Sequence, residues 1–320
     1  SSTESMRIAF RADSGRVIGL GHLGRCVAIA QAMVRLGRKP VFLDVADDCL
    51  PWLRARGFRA EKSGGKVWDI LVGDNYRFTP KDHAQNRRMS KTLLNFDDFG
   101  TLTGPCDWIL SSHIYAPAMS FKADSGCGFL VGPKFHPMRS EYWTPRGSKA
   151  TLPRIRDLLI VLGGGDGWGL AGAAVDTAAR ALPKARIHVV LGPLAAPLKT
   201  ERKNVFAYRD LPHLRKLIEK ADAAVSAGGQ TLYELAFIGT PTVAVNLGKD
   251  QGDNIRGLEE AGAAISIGEG KATEFKKKLA TELKKLDFRP ALRKKMSNAG
   301  RKLLDGKGAF RVAKVLLEAR

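Results

Sequence analysis

Short apolar runs alternate with polar, helix-compatible stretches along most of the chain. The first run closes on Ile8-Ala9-Phe10 and has strand character. Between Val27 and Leu36 the apolar residues recur at three and four, the spacing of one helix face. The intervening stretch, Phe10 to Cys26, reads FRADSGRVIGLGHLGRC, so the opening unit is strand, glycine-rich loop, helix. Further strands are predicted over residues 40–45, 70–73, 92–96 and 108–110, with helical stretches over 50–56 and 81–88. Apolar runs separated by helical patterns indicate a parallel sheet covered on both faces. Residues 128–148, rich in Pro, Gly and aromatics, predict a connecting segment, with the domain boundary over 146–152. A second strand, glycine-rich loop and helix follow over 156–162, 163–167 and 171–181. After them come strands at 186–191, 223–226 and 242–245, with helical stretches at 211–220 and from Gln230 and Ile255.

This pattern predicts an α/β protein of two Rossmann-like domains, residues 6–148 and 149–320, after a polar leader over 1–5 excluded from the fold. The length of 320 residues supports two domains, since it exceeds one comfortable core. Net charge is +20, and more than half of that excess lies in residues 271–320, read as two or three amphipathic helices closing the second domain. There the basic residues interleave with leucines, as on solvated helix faces. A weak, salt-sensitive contact with an anionic membrane surface ranks second. Nucleic acid ranks third, because neither zinc-finger spacing nor an aromatic RNA-binding signature is present, and no nucleic-acid partner is expected. Cys26, Cys49, Cys106 and Cys127 lack metal spacing or a disulfide framework. No apolar stretch approaches the ~20 residues of a membrane span. The expectation is a cytoplasmic, reduced monomer.

The candidate chemistry gathers at the loops. Gly19, Gly21 and Gly24 match the dinucleotide fingerprint by letter, and Asp44 ends the next apolar run at ribose-binding distance in sequence. Against a nicotinamide reading stands His22, whose imidazole would compete with a pyrophosphate for space. His22 is either a helix cap or a chemical group; Asp13, on the same loop, either orients it, binds substrate or caps a turn. The clusters Gly73-Asp74-Asn75-Tyr76 and Asn95-Phe96-Asp97-Asp98 fall on the same sheet rim, where parallel sheets bind ligands, though Asp97-Asp98 reads equally well as a turn. Gly164 marks the second strand-to-helix handover. Gly228, Gly229, Gln230 and Thr231 open a helix whose amides and hydroxyl suit a diphosphate. Glu234 would repel phosphate and suits a ribose diol, or else caps the helix. Asp250, Gln251 and Asn254 suit sugar hydroxyls or acetamido groups.

Two motifs carry a resemblance: Phe10-Arg11-Ala12-Asp13 through Gly19-Leu20-Gly21-His22, and Ser226-Ala227-Gly228-Gly229-Gln230-Thr231-Leu232-Tyr233-Glu234. Weaker echoes are Asp74-Asn75-Tyr76, Phe96-Asp97-Asp98, Cys127-Gly128-Phe129, and Gln251 with Asn254. Over residues 6–268 the chain resembles the nucleotide-sugar hydrolase family of the pseudaminic acid pathway. That family acts on UDP-2,4-diacetamido-2,4,6-trideoxy-β-L-altropyranose and has the two-domain GT-B glycosyltransferase fold. The resemblance implies His22 as catalytic base toward a water at the anomeric carbon, with inversion. It implies Asp13 orienting the imidazole or holding the sugar, and substrate contacts from Arg11, Gly19, Gly21, Tyr76 and Asp97. It also implies UDP on the second domain, and no cofactor or metal. Ser14 is followed by Gly15 rather than a second serine, and residues 111–116 replace an asparagine-rich step, which bears on the sugar's identity. The same fold serves glycosyltransferases, in which an acceptor hydroxyl replaces water, and strong basicity suits one docking at a membrane-linked acceptor. A non-catalytic nucleotide-sugar binding protein is the third reading.

Overall fold

Two all-parallel sheets, each with helical crossovers, divide the chain into two units in a computed structural model. It describes residues 6–15, 20–122, 126–163, 169–192, 195, 197–209, 211, 213–248, 251–271 and 273–319. Gly19, Gly164 and Asp250 lie outside the described residues.

The first unit comprises residues 1–143 and 306–320. Its elements are β1 (Ile8–Ala12), α1 (Gly21–Arg35), β2 (Val41–Leu43), α2 (Leu50–Arg54), β3 (Ala60–Glu61), β4 (Trp68–Asp74), α3 (Pro80–Arg88), β5 (Ser90–Phe96), β6 (Trp108–Ser111) and β7 (Gly128–Val131). The strand order is β3-β2-β1-β4-β5-β6-β7. Strands β1, β4 and β5 are almost wholly buried, which is why they read as continuous apolar runs rather than as alternation. Helix α1 lays Leu23, Val27, Ala30 and other apolar residues into a core with Phe10 and Phe42, whose rings stack at 5.3 Å.

The second unit spans residues 144–305. It contains β8 (Asp157–Val161), α4 (Leu170–Ala181), β9 (Arg186–Leu191), β10 (Val205–Arg209), α5 (Arg215–Lys220), β11 (Ala223–Ala227), α6 (Gln230–Ile238), β12 (Thr242–Asn246), α7 (Gly252–Glu260), β13 (Ala264–Glu269), α8 (Phe275–Phe288) and α9 (Pro290–Leu303). Its order is β10-β9-β8-β11-β12-β13. Every strand pairing in both sheets is parallel.

Two expectations require correction. The segment expected to be a connection begins with strand β7, a four-residue edge strand whose Gly128 leaves room for the Trp108 ring of β6. The domain boundary also differs from residues 148 and 149. The chain leaves the first unit after Trp143 and returns at Gly306, so the last helix, α10 (Gly308–Glu318), is not part of the second unit. Its apolar face, Ala309, Val312, Ala313 and Leu316, is fully buried in the first core. Gly308 begins it because a side chain there would collide with the backbone of His136. Chain return to the first core outweighs the charge excess that had grouped these residues with α8 and α9.

Candidate active site

The carboxyl ends of β4 and β5 place three aspartates on the rim that faces the start of α1. Asp74 is the last residue of β4, and Asp97 and Asp98 follow β5 directly. Helix α1 begins at Gly21 with no acidic residue in its first turn and no side-chain cap. His22 and Arg25, three residues apart, share one face of this helix.

Asp74 is completely buried. Its Oδ1 lies 2.8 Å from His22 Nδ1, and Arg25 donates to both of its oxygens at 2.6 Å. The remaining arm of Arg25 donates to Asp98 at 2.7 Å, and Tyr76 donates its hydroxyl proton to the same Asp98 oxygen at 2.6 Å. His113 Nε2 lies 3.0 Å from the other Asp98 oxygen, and the Tyr115 hydroxyl donates to the Asp98 carbonyl at 3.1 Å. One buried guanidinium therefore joins two carboxylates, each of which touches a histidine.

The electrostatics follow from this pairing. Burial by itself pushes both carboxyls up, but Arg25 and the adjoining histidines overcome it. Asp74 is held below, and Asp98 well below, the usual carboxylate range. Burial likewise opposes the charge of Arg25, yet the two aspartates raise it well above its ordinary value. The Tyr76 phenol is pushed up by burial and by Asp98. An ionised Asp74 accepts only, so Nδ1 of His22 carries a proton, and in the neutral imidazole the lone pair lies on Nε2. That is the arrangement of a general base with a fixed tautomer.

Several residues singled out from sequence hold other positions. Asp13 is 3% exposed, but its carboxylate is gripped by the Arg77 guanidinium and by the Ser14 amide, so Asp74, not Asp13, orients His22. Asp13 nevertheless ties the loop to the site, because its amide donates to the Asp74 carbonyl at 2.8 Å. Arg11 spends its donors on Asp44 at 3.1 Å and Asn86 at 2.8 Å, bracing β1 against β2 and α3. Asp44, the candidate ribose ligand of a dinucleotide site, is occupied by Arg11 and the Ser63 amide. Asp97 accepts from the amides of Phe99, Thr101 and Leu102, which is the turn reading. Tyr76 lies against the His22 imidazole, edge to face, at 4.3 Å. Gly21 opens α1 with an exposed backbone.

In the second unit the loop between β11 and α6 brings together the other sequence candidates. Gly228 is enclosed: a Cβ there would lie 2.8 Å from Gln251 and Ile255. Its amide donates to Gln251 Oε1 at 3.1 Å, and Asn254 donates to its carbonyl at 3.2 Å. Tyr233 in turn donates to Asn254 at 2.6 Å. Gln251 and Asn254 thus shape the loop rather than simply projecting from it. Gly229 caps α6, and a Cβ there meets nothing within 4 Å. Gln230 and Thr231 form the half-buried first turn, while Glu234 is 3% exposed and engaged within the protein. In the first turn of α6 the Leu232 amide donates to the Gly229 carbonyl at 3.0 Å, while the amides of Gln230 and Thr231 precede the intrahelical ladder.

Sequence reasoning passed over Arg25, took His113 only as part of the 111–116 segment that bears on the sugar, and gave Asp74 and Asp98 no role beyond the rim. The i, i+3 spacing of His22 and Arg25 was the available signal. Among the described residues no group of three or more His, Cys, Asp or Glu is arranged to hold a metal ion, and no helix is long and apolar enough to cross a membrane.

Residues 158–309 match the glycosyltransferase family 28 C-terminal domain. A Phenylobacterium zucineum UDP-N-acetylglucosamine–N-acetylmuramyl-(pentapeptide) pyrophosphoryl-undecaprenol N-acetylglucosamine transferase is 32% identical over 275 residues, 78% of this chain and 73% of that protein. A Helicobacter pylori protein, pseudaminic acid cytidylyltransferase and UDP-2,4-diacetamido-2,4,6-trideoxy-β-L-altropyranose hydrolase, is 25% identical over 240 residues, 73% of this chain and 43% of that protein. The chain spans about half the length of several curated relatives that it matches. The crystal structure of Acinetobacter baumannii MurG superposes with a TM-score of 0.66 at 13% identity, covering 98% of this chain and all of that one, a likeness of fold alone. Two parallel α/β domains, the C-terminal domain match and the extended similarity to the Phenylobacterium transferase together place the chain: it belongs to the GT-B glycosyltransferase-like family.

Proposed function

We propose that this chain cleaves UDP from UDP-2,4-diacetamido-2,4,6-trideoxy-β-L-altropyranose by attack of water at C1, inverting the anomeric centre. The observation that carries the reading is the His22–Asp74 contact of 2.8 Å on a fully buried carboxylate locked by Arg25. In this mechanism Nε2 of His22 takes a proton from the water as its oxygen bonds to C1. The bond from C1 to the diphosphate oxygen breaks, and its electron pair leaves with UDP. Ionised Asp74 stabilises the imidazolium that forms. The first-turn amides of α6, with Thr231 and the loop at Gly228 and Gly229, receive the diphosphate, where backbone donors favour the charge that develops. Glu234 serves the ribose, and Gln251 and Asn254 set the loop that carries these groups. The reading requires no cofactor. The similarity to the Helicobacter protein supports the hydrolytic branch and this donor.

Transfer to an acceptor is the second reading, favoured by the 32% identity to the Phenylobacterium transferase. Here an acceptor hydroxyl replaces water and loses its proton to the same His22. Lysine- and arginine-rich α8 and α9 would suit an anionic membrane surface carrying such an acceptor. A time course of UDP release from the purified chain, without acceptor, separates the two. Stoichiometric UDP and free sugar are expected for the hydrolase. Binding without release overturns hydrolysis in favour of transfer.

A further inference from the structure

At the sheet rim opposite Asp74 and Asp98, two thiols of the first unit lie against each other. Cys106 stands two residues before β6 and Cys127 immediately before β7, and their sulfurs are 3.1 Å apart. The strands pair in parallel with Trp108 opposite Gly128, and the Gly128 amide donates to the Asp107 carbonyl at 2.8 Å. This pairing brings together two cysteines separated by 21 positions in sequence. The first is held from several sides. Cys106 is 9% exposed and packs in the core with Leu93 and Ile109. The adjoining Asp107 carboxylate accepts from Arg87 at 2.6 Å and from the Leu93 amide at 2.7 Å. Cys127 is half-buried, lies 3.6 Å from the Gly128 carbonyl and heads the edge strand of the sheet. The remaining cysteines, Cys26 and Cys49, are both buried, and burial pushes both thiols up, which makes them slow nucleophiles.

Cysteine packed as a small apolar group is the ordinary reading of a buried thiol. Here one sulfur is buried and the other is within reach of solvent, the arrangement of a resolving thiol beside an attacking one. We propose that Cys106 and Cys127 form a thiol–disulfide exchange site that accepts small disulfides of the glutathione class and closes to an internal bond pinning β7 to β6. The Cys127 thiolate attacks one sulfur of the incoming disulfide, and the other sulfur leaves as a thiolate. The Cys106 thiolate then attacks Cys127 Sγ and expels the second thiolate. The two protons given up by the cysteines end on the two released thiols, so one disulfide is reduced for each bond made. The bond closes a loop over residues 107–126, which carries β6 and also His113 and Tyr115, the two residues that reach Asp98. Closure restricts the unfolded chain and fastens an edge strand that is otherwise held by a four-residue ladder. None of this depends on the reaction assigned to His22.

The test exposes the folded full chain to glutathione disulfide, counts the remaining thiols and maps the peptides by mass spectrometry. Two of the four thiols should disappear together, leaving one linked pair of peptides that joins Cys106 to Cys127. A reductant should restore both. Cys106→Ser should stop with one glutathione on Cys127, and Cys127→Ser should leave Cys106 unmodified over the same interval. The oxidised wild type should unfold at a higher urea midpoint than the reduced chain, and both variants should lose that difference. Four thiols that persist in the wild type overturn the proposal. So does glutathione that stays on Cys127 without closure, or a bond that links two chains. An internal bond with no rise in the urea midpoint also overturns it, since β7 would then not be pinned. The wild-type map decides the site even where a serine variant fails to fold.

Discussion

The junctions ahead of α1 and α6 share one sequence plan: a buried parallel strand, a glycine-bearing loop and a helix with no acid in its first turn. Their furnishing differs. At α1 the helix presents His22 and Arg25 to the buried carboxylates Asp74 and Asp98, so the junction is a network of ionised groups. At α6 the neighbours are neutral amides: Gln251 and Asn254 bracket Gly228, and Gly229 caps the helix. The first junction can hold and move a proton; the second offers neutral amide donors and acceptors. The contrast fits the proposed reading, in which one unit carries the chemistry and the other recognises the anion.

The largest effect should come from Asp74→Asn. An amide can donate to Nδ1 of His22 and so reverse its tautomer, and turnover is expected to fall by about 10⁴-fold, the scale seen when such an orienting carboxylate is neutralised. The substitution also leaves Arg25 with Asp98 as its sole carboxylate, which should cost about 3 kcal/mol in a urea titration. His22→Asn removes the base itself and should lower turnover by about 10²–10⁴-fold while UDP affinity stays constant. A parallel loss of UDP affinity in calorimetry would break the division of labour between the two junctions.

Next in size are the two glycines of the second junction, which separate shape from ligand approach. Gly228→Ala forces a Cβ to within 2.8 Å of Gln251 and Ile255, so it should deform the loop, lower the thermal midpoint and weaken UDP at least tenfold. At Gly229 a Cβ meets no protein atom, so Gly229→Ala should leave the midpoint unchanged. Any loss of UDP affinity there would report on how closely the diphosphate approaches the backbone. Unchanged affinity in both variants would move the nucleotide away from α6.

The two-sheet α/β plan was legible because buried parallel strands are apolar runs, and such runs stand out even where their ends do not. Edge strands were harder. β7 is four residues beginning with glycine, and β10 has three of five positions exposed, so the short apolar runs Phe129-Leu130-Val131 and Val205-Phe206-Ala207-Tyr208 are weaker signals than those of the buried central strands. Helix α10 was misassigned because net charge was weighed over the spacing of Ala309, Val312, Ala313 and Leu316, which marks a core face but not which core. His22 was visible as a histidine where a loop enters a helix. Its partner was not: Asp13 is near in sequence, whereas Asp74 becomes adjacent only when β4 pairs with β1. Cys106 and Cys127 had no telling spacing, yet neighbouring strands bring their sulfurs to 3.1 Å. Contacts made by sheet order are invisible until the order is known.

The smallest effect distinguishes the two units by pH. Lys149, in the second unit, donates to the Ile218 carbonyl at 2.9 Å and the Thr240 hydroxyl at 2.7 Å, and burial lowers it to about 8. An unfolded lysine titrates near 10.4. Between these two values the unfolded chain binds the extra proton, so the contribution of Lys149 to stability rises as pH climbs through that window. The carboxylates of the first unit behave oppositely in range. Asp74 and Asp98 are depressed, so their contribution is complete at neutral pH and is lost only as acid approaches their folded values. Urea midpoints of the wild type and Lys149→Met, compared at pH 7.5 and at about pH 10, isolate the lysine. The wild type should gain on Lys149→Met as pH rises, because across that interval folded Lys149 gives up its proton while the unfolded lysine keeps most of its own. Parallel midpoints would mean that the ammonium is solvated in the folded chain and that the two carbonyl and hydroxyl contacts hold it charged.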